Sequence, residues 1–461
     1  MKIILRPLFL LLTIVFFGSC TTSEKNQYTY FGGKIIHPKS EHVILFKNDI
    51  PVDTLLLDKE DKFMGKYKEF NEGFYYFKHG PEFQYLYIKP KDSILIRLNT
   101  WDFDESLVFS GTGAEKNNIL IDCFLEQEKE NSNYTFYSFY KLPPNKFKSK
   151  MDSVLVLRQR KIDAFKNSNE KLPKEYLTIL EIVSKYPIYS RLENYLLMNS
   201  KSKNTITLPS NFYNYRKQVN IDNDSLMYLR TYGKYVVNRL HNEVYTQGYS
   251  SNSKKFTPSL LNTIDNHIKK EKLKNALLRE MLMNDFLMNS SCSVNKEAFQ
   301  TYFRLSTSIK DKKSIQRILN DIKSIHGGKE LTNFNVTNYN NSTKSIQEII
   351  AKKNSVLYVW TPKYTSKEYL TSRIKFLSHK FPKLHFVSIQ ITATKNNQPL
   401  KEIDIKNQFY INSENKYKNL FSSKLPRIIL VNKKGMVVNG FAVINGQKIN
   451  KQLAYLQNSN K

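Results

Sequence analysis

Cysteine is nearly absent from this chain, with three in 461 residues, at Cys20, Cys123 and Cys292. So sparse a set excludes a disulfide framework and a cysteine-built zinc site. An exported compartment would permit Cys123 and Cys292 to pair. They lie 169 positions apart in separate helical stretches, however, and read as two unpaired, buried thiols behaving as small hydrophobes. The eight histidines show no metal-ligand spacing, so no protein-held metal or other cofactor is expected. Acidic residues are also scarce: 41 stand against 71 Lys and Arg, a net charge of +30. The positive residues are spread along the whole length, without an Arg-rich cluster or a nucleic-acid motif, which argues against nucleic acid as a partner. A solvated lysine surface drawn to anionic lipid or envelope glycans is the more economical account. No internal repeat of fixed length is evident.

Long apolar runs are missing too, except at the start. Lys2 and Arg6 form a basic segment, residues 8–17 an apolar one, and Gly18-Ser19-Cys20 puts small residues before a cysteine. The run is shorter than the roughly 20 residues a membrane span needs. It resembles a bacterial lipoprotein signal, with Phe17 in the place usually held by leucine. That resemblance implies cleavage before Cys20 and a lipid on it, leaving 69 basic and 41 acidic residues, a net +28. The body of the chain would then lie in the envelope of a Gram-negative bacterium, lipid-anchored, periplasmic or at the outer membrane.

After a polar tether at 21–27 the pattern turns to short strands, at 30–36, 42–47, 51–57, 62–67, 73–78, 85–88, 93–99 and 107–110. Turn residues at near-regular spacing, such as Asn48-Asp49 and Lys89-Pro90-Lys91-Asp92, predict a small antiparallel sandwich or barrel over 28–112. Gly33-Lys34-Ile35, Gly73-Phe74-Tyr75-Tyr76 and Lys89-Pro90-Lys91-Asp92-Ser93 resemble the β-sandwich domain that precedes TlpA-like thioredoxin domains in envelope lipoproteins. Tyr75, Tyr76, Phe77, Phe83, Tyr85 and Tyr87 could line a sugar or peptide groove, though alternation sends half of them to the core. Asp102, Asp104 and Glu105 cluster in a turn and read as solvated or capping groups rather than a glycosidase pair. The stretch 111–118 lacks a Gly-Lys-Ser/Thr ending and reads as a helix-starting turn, not a phosphate loop. From 113 to 328 the chain is helical, with prolines at likely helix starts, Pro187 among them, and apolar residues recurring at three and four. It reads as a spacer burying its own core.

The stretch that organises the C-terminal part is Val356-Leu357-Tyr358-Val359-Trp360-Thr361-Pro362-Lys363-Tyr364-Thr365-Ser366-Lys367-Glu368, a buried strand, a loop and a helix capped by Thr365 or Ser366. Some sixty residues later, Leu425-Pro426-Arg427-Ile428-Ile429-Leu430-Val431 opens a hairpin whose turn closes at Gly435. Residues 384–391 fit an intervening parallel strand and 449–456 a closing helix. Residues 335–461 resemble the thioredoxin family, most closely its TlpA-like branch. In that family the proline is cis and faces a loop carrying two reactive cysteines at a helix N-terminus, where the dipole lowers a thiol pKa. Here those two places hold Tyr364 and Lys367.

The expected architecture is therefore multidomain α+β: a β-sandwich at 28–112, a helical region at 113–328 and an α/β thioredoxin-like domain at 335–461. The expected function is a membrane-anchored lipoprotein whose thioredoxin-like domain is redox-inactive and acts as a binding or scaffold module. Its groove would be formed by Trp360, Tyr364, Lys367, Leu425 and Pro426, and it would grip an extended peptide or envelope protein by main-chain pairing. The alternative is a thiol-disulfide oxidoreductase or peroxidase of the TlpA-like family, which needs a thiolate that this loop does not offer.

Overall fold

The computed structural model describes residues 27–133, 136–169, 171–199, 207–289, 294–392, 398–412, 420–446 and 448–458. The chain forms two compact units. One comprises residues up to 218 with 225–239, the other 219–224 with 240 onward. Cys20 and Cys292 lie outside the described residues.

The first unit begins with eight strands: β1 (Thr29–Ile36), β2 (His42–Lys47), β3 (Ile50–Leu56), β4 (Lys62–Tyr67), β5 (Gly73–His79), β6 (Glu82–Ile88), β7 (Ser93–Asn99) and β8 (Val108–Ser110). They make two four-stranded sheets, ordered β4-β1-β7-β8 and β3-β2-β5-β6. The period of two decides what is buried. In β7, Ile94, Ile96 and Leu98 point inward while Ser93, Leu95 and Arg97 do not. With Phe31 and Ile35 of β1, Val43 and Leu45 of β2, and Phe77 and Leu86 of β5 and β6, they form one apolar cluster fed by both sheets. Each such side chain contributes roughly 1.5–3 kcal/mol when fully buried. The expectation of a purely antiparallel arrangement fails at one place: β1 pairs with β7 in parallel, Tyr30 opposite Ser93. A parallel pair needs a long crossover, and here the whole second sheet together with β4 lies between the two strands in the chain.

Helices of this unit are α1 (Phe103–Ser106), α2 (Ala114–Asn133), α3 (Phe136–Tyr140), α4 (Pro144–Ser168) and α5 (Lys174–Asn199); the division between units falls inside α6 (Arg230–Thr246). The 111–118 stretch does start a helix. Gly111 takes φ +89, and a Cβ there would sit 2.0 Å from the Ser93 carbonyl oxygen. Two consecutive asparagines on α2 then close the open edges of both sheets. Asn117 accepts from the Tyr87 N–H of β6 (2.6 Å) and donates to its carbonyl (3.0 Å). Asn118 does the same for Phe109 of β8, at 3.1 and 3.0 Å. Glu130 of α2 ties Arg158 of α4 to Arg191 of α5. Pro187, expected at a helix start, lies buried inside α5. An interior proline loses a hydrogen bond and costs about 3 kcal/mol, a loss offset by an α5 that buries residues along most of its length.

The second unit carries α7 (Phe256–His267), α8 (Glu271–Asn289), α9 (Lys296–Leu305) and α10 (Ile309–Ser324), then β9 (Asn335–Asn338), β10 (Thr343–Ser345), α11 (Ile346–Ile350), β11 (Ser355–Trp360), α12 (Lys367–Lys380), β12 (His385–Thr392), β13 (Gln408–Asn412), β14 (Arg427–Val431), β15 (Val437–Ala442) and α13 (Ile449–Asn458). One seven-stranded sheet results, in the order β10-β9-β13-β12-β11-β14-β15. β11 lies parallel to β12 and antiparallel to β14, and β14 and β15 form the closing hairpin. Strand, helix, parallel strand, hairpin and closing helix are the parts the thioredoxin resemblance implies, in the same order. Every residue of β11 is buried, as a strand covered on both faces must be. Leu357 and Val359 join Val387, Ile389, Ile429 and Val431 on one face. Val356, Tyr358 and Trp360 face Leu370, Ile374 and Leu377 of α12 and Leu453 and Leu456 of α13 on the other. The outer edge of β15 is taken up by residues 328–331, through Gly328 N–H to Val437 O and Val437 N–H to Lys329 O, both 2.8 Å.

Candidate binding groove at the strand ends

β11 delivers its C-terminal end to the loop 361–366. Trp360 is buried and its Nε1–H donates to Ser388 Oγ at 2.9 Å, which makes it a support beneath the loop rather than an exposed wall. The loop turns on the Thr361 carbonyl, which accepts from the N–H groups of Tyr364 (3.1 Å) and Thr365 (3.2 Å). Of the two capping candidates, Ser366 is the N-cap, its Oγ accepting from Tyr369 N–H at 3.2 Å. Tyr364 is 54% exposed, with the Lys363 ammonium 5.6 Å from its ring centre. Lys367, first in the helix, donates from Nζ to the Gln398 carbonyl at 3.1 Å. It also lines a cleft of about 850 Å³ with Glu368, Thr371, Ser372, Lys375, Lys401 and Glu402. Burial, the largest cause, pushes the Tyr358 phenol up to about 12, so behind the loop it stays neutral.

Leu425 and Pro426 reach the same end of the sheet because β14 runs against β11. The last pair in register is Val359 with Arg427, which sets Pro426 beside Trp360. The structure thus brings Tyr364, Lys367, Leu425 and Pro426 to one sheet end. One detail departs from the resemblance: no described peptide bond is cis, so Leu425–Pro426 is trans. Trans is the favoured form by about 0.5–1 kcal/mol, and the path of this turn is fixed by other means. Lys424 adopts a left-handed conformation (φ 55), and Leu425 N–H donates to Ser423 Oγ at 3.2 Å. The main-chain donor that strand-like recognition would use is therefore engaged within the turn.

What fixes the turn is a residue that reading the sequence missed. Asp321 of α10 accepts from the backbone N–H groups of Ser422 (2.7 Å) and Ser423 (3.1 Å), from both serine hydroxyls, and from Arg427 Nη1 at 2.9 Å. Arg427 Nη2 donates to the Leu420 carbonyl at 2.7 Å, and the guanidinium lies between the rings of Phe421 and Phe441, 5.1 and 4.9 Å from their centres. Its Nε–H has no partner among the described residues. Burial lowers the Arg427 pKa and the Asp321 carboxylate opposes that; a guanidinium nevertheless keeps its proton. A signal was present in the sequence. Asp321 falls among Ile315, Ile318 and Ile322 on the buried stripe of α10, where an acid must have a partner.

The described cysteine, Cys123, belongs to the first unit, on α2. It is buried, and burial raises its thiol pKa, the opposite of what a nucleophile requires. Among the described residues no three His, Cys, Asp or Glu side chains converge as a metal site. No described helix is long and apolar enough to cross a membrane. In the sandwich, Tyr75, Phe77 and Tyr87 are buried. Tyr76, Phe83 and Tyr85 pack together on the outer face, and the chain's own residues cover part of them: Tyr85 donates to the Tyr228 carbonyl (2.8 Å) and the Arg230 guanidinium sits 4.6 Å from the Phe83 ring centre.

No family model matches this sequence, and no curated protein matches it. Solved structures do. A thioredoxin-like protein from Bacteroides caccae is 14% identical over 54% of this chain and 94% of its own, with a TM-score of 0.29. A thiol:disulfide interchange protein from Bacteroides sp. is 16% identical over 30% of this chain and 95% of its own (TM-score 0.24). The thioredoxin domain of a thiol-disulfide oxidoreductase from Bacteroides vulgatus is 16% identical over 29% of this chain and all of its own (TM-score 0.23). It is the strand order and direction of the seven-stranded sheet, rather than these distant likenesses, that make the C-terminal part thioredoxin-like.

Proposed function

We propose that this chain is a lipid-anchored protein of the bacterial envelope whose thioredoxin-like domain binds an extended peptide segment of an envelope protein without redox chemistry. One observation carries the reading: in the loop and helix start that follow β11, Tyr364 and Lys367 stand in the two positions to which the thioredoxin resemblance assigns cysteines, Tyr364 exposed and Lys367 first in the helix. Thiol exchange requires a thiolate, and Cys123 is a buried thiol with a raised pKa in the other unit. Tyr364 supplies a half-open aromatic face, Leu425 and Pro426 an apolar rim, and Lys367 a cation at the mouth of the neighbouring cleft. The membrane would be reached through lipid on Cys20, and no nucleic acid is involved.

Two measurements test this. The chain lacking residues 1–20 should not accelerate insulin reduction by dithiothreitol; acceleration abolished by Cys123→Ser or Cys292→Ser would establish the oxidoreductase reading instead. In cells, Cys20→Ala should abolish palmitate labelling and release the protein from the membrane fraction. Crosslinking in envelopes should capture partners that Tyr364→Ala and Leu425→Ala both lose, and capture indifferent to those changes would rule the groove out.

A further inference from the structure

Basic residues occur along the whole length, but the acidic ones that offset them do not, so the net charge is uneven. Residues 28–112 carry 11 Lys and Arg against 13 Asp and Glu, whereas residues 335–461 carry 21 against 5. A quarter of the chain thus holds +16 of the net +30. The kind of cation matters as well. Nineteen of the 21 are lysines; of the two arginines, Arg427 is buried and Arg373 donates from Nε to the Ile444 carbonyl at 3.2 Å. Lysine is a compact point charge without the bidentate fork that reads phosphate geometry or nucleic acid specifically.

Some of these charges lie beside exposed aromatic rings. On α12, Tyr369, Arg373, Phe376 and Lys380 recur at four, three and four, one stripe of the helix, flanking the buried stripe of Leu370, Ile374 and Leu377. Tyr369 and Phe376 are 45% and 51% exposed, and Arg373 and Lys380 lie 5.1 and 5.9 Å from the Phe376 ring centre. α13 packs on the same face of the sheet and presents Lys451 and, one turn on, Tyr455 at 67% exposure. α13 holds no acidic residue and α12 only Glu368, in its first turn.

We propose that the outer surface of α12 and α13 docks on a bilayer surface rich in anionic phospholipid headgroups. Rings on a cationic helix face settle at headgroup depth, and a lysine near an anionic leaflet contributes about 1 kcal/mol, screened by salt. This surface is distinct from the strand-end groove, and the proposal stands whether or not that groove binds peptide.

The test is vesicle co-sedimentation with the chain lacking residues 1–20, so that no lipid anchor can contribute. Vesicles of equal parts phosphatidylcholine and phosphatidylglycerol should bind it and phosphatidylcholine alone should not, with binding falling as salt rises. Lys380→Gln with Lys451→Gln should weaken binding about 25-fold, roughly fivefold per lysine, and Phe376→Ala should weaken it further. Lys59→Gln with Lys68→Gln, an exposed pair on the sandwich, should leave it unchanged. The proposal is overturned by equal binding to neutral vesicles, by no binding at low salt, by an equal loss in the sandwich pair, or by tighter retention on a single-stranded oligonucleotide than on the anionic vesicles at the same salt.

Discussion

The sandwich and the seven-stranded sheet handle polar groups differently. In the sandwich one apolar cluster is shared by both sheets, and polar side chains work at its margins: Asn117 and Asn118 satisfy the edges of β6 and β8, Asp92 accepts from Lys89 N–H at 2.9 Å, and at the β3 edge Pro51 offers no donor while Asp53 accepts from Thr54 N–H at 2.8 Å. Such devices blunt edges that would otherwise recruit other strands. The seven-stranded sheet instead takes a full ion pair into its interior, at the turn that precedes β14 and beside the loop that follows β11. Neutral caps close a surface off. A buried ion pair fixes one geometry, because any displacement leaves a charge without its partner in a medium of low dielectric.

The largest effect should follow from breaking that pair. Asp321→Ala leaves Arg427 and the donors of Ser422 and Ser423 buried and unmatched, and should cost about 3–5 kcal/mol. The chain has two tryptophans, Trp101 in the sandwich and Trp360 in the sheet, so Trp101→Phe leaves Trp360 fluorescence as the reporter in a urea titration. Asp321→Asn, which keeps one of the two acceptor oxygens, should lose less; an unchanged midpoint in both would mean the pair specifies nothing. The sandwich should answer more mildly. Asn117→Ala strands the Tyr87 N–H and carbonyl and should cost about 1–3 kcal/mol. Asn118→Ala, at a half-buried site, should cost less, with hydrogen exchange rising at Phe109 but not at Tyr87. Equal exchange at both amides would break the picture of two separate caps.

These two devices also mark where sequence reading stopped. The strands 42–47, 62–67 and 93–99 were legible to the residue, because alternation and turn residues are local signals. The Gly435 turn (φ 80) and the helix beginning at Ile449 were legible too, β11 to within one residue, and the helix cap was narrowed to Thr365 or Ser366. β9, β10 and β13 were not anticipated; they are three to five residues long, too short for alternation to register. Of the candidate site, the identities at 364 and 367 and the arrival of the 361–366 loop and Leu425-Pro426 at one end of the sheet were readable. The Asp321–Arg427 pair was not foreseen, since it joins positions 106 apart in sequence. Pro187 shows the reverse error, a local rule overruled by the packing of a long helix.

Acid should affect both regions in the same direction. His79, in the sandwich, accepts from Lys39 N–H at Nε2 (2.9 Å) while its Nδ1 lies 3.1 Å from the His42 carbonyl, which fixes the neutral Nδ1–H form. His385, on β12, has Nε2 2.9 Å from Asn407 Oδ1. Burial is the largest cause in each and lowers both pKa values below the ordinary 6.5. Between the lowered and ordinary values the unfolded chain binds more protons than the folded one, so stability is pH-independent in these groups above about 6.5 and falls as the pH drops below it. The urea midpoint should be lower at acid pH than at neutral pH. His79→Gln should flatten that dependence for the sandwich, read by far-UV circular dichroism, and leave it in Trp360 fluorescence; flattening in both signals would show that the regions do not unfold separately.

The smallest effect sharpens the contrast from within one sheet domain. Lys375 and Glu402 form an ion pair at 2.6 Å, shorter than the 2.9 Å between Arg427 and Asp321. The Lys375 hydrogen bond and charge hold the Glu402 carboxyl below its usual range. Distance alone would rank this pair above the buried one. Both its side chains are more than half exposed, however, so water and salt already do most of what each offers the other. Lys375→Ala should therefore leave the urea midpoint where it is, in the Trp101→Phe background where Asp321→Ala moves it most. A midpoint shift for Lys375→Ala approaching that of Asp321→Ala would mean that charge pairing, and not burial at the turn before β14, is what this domain depends on.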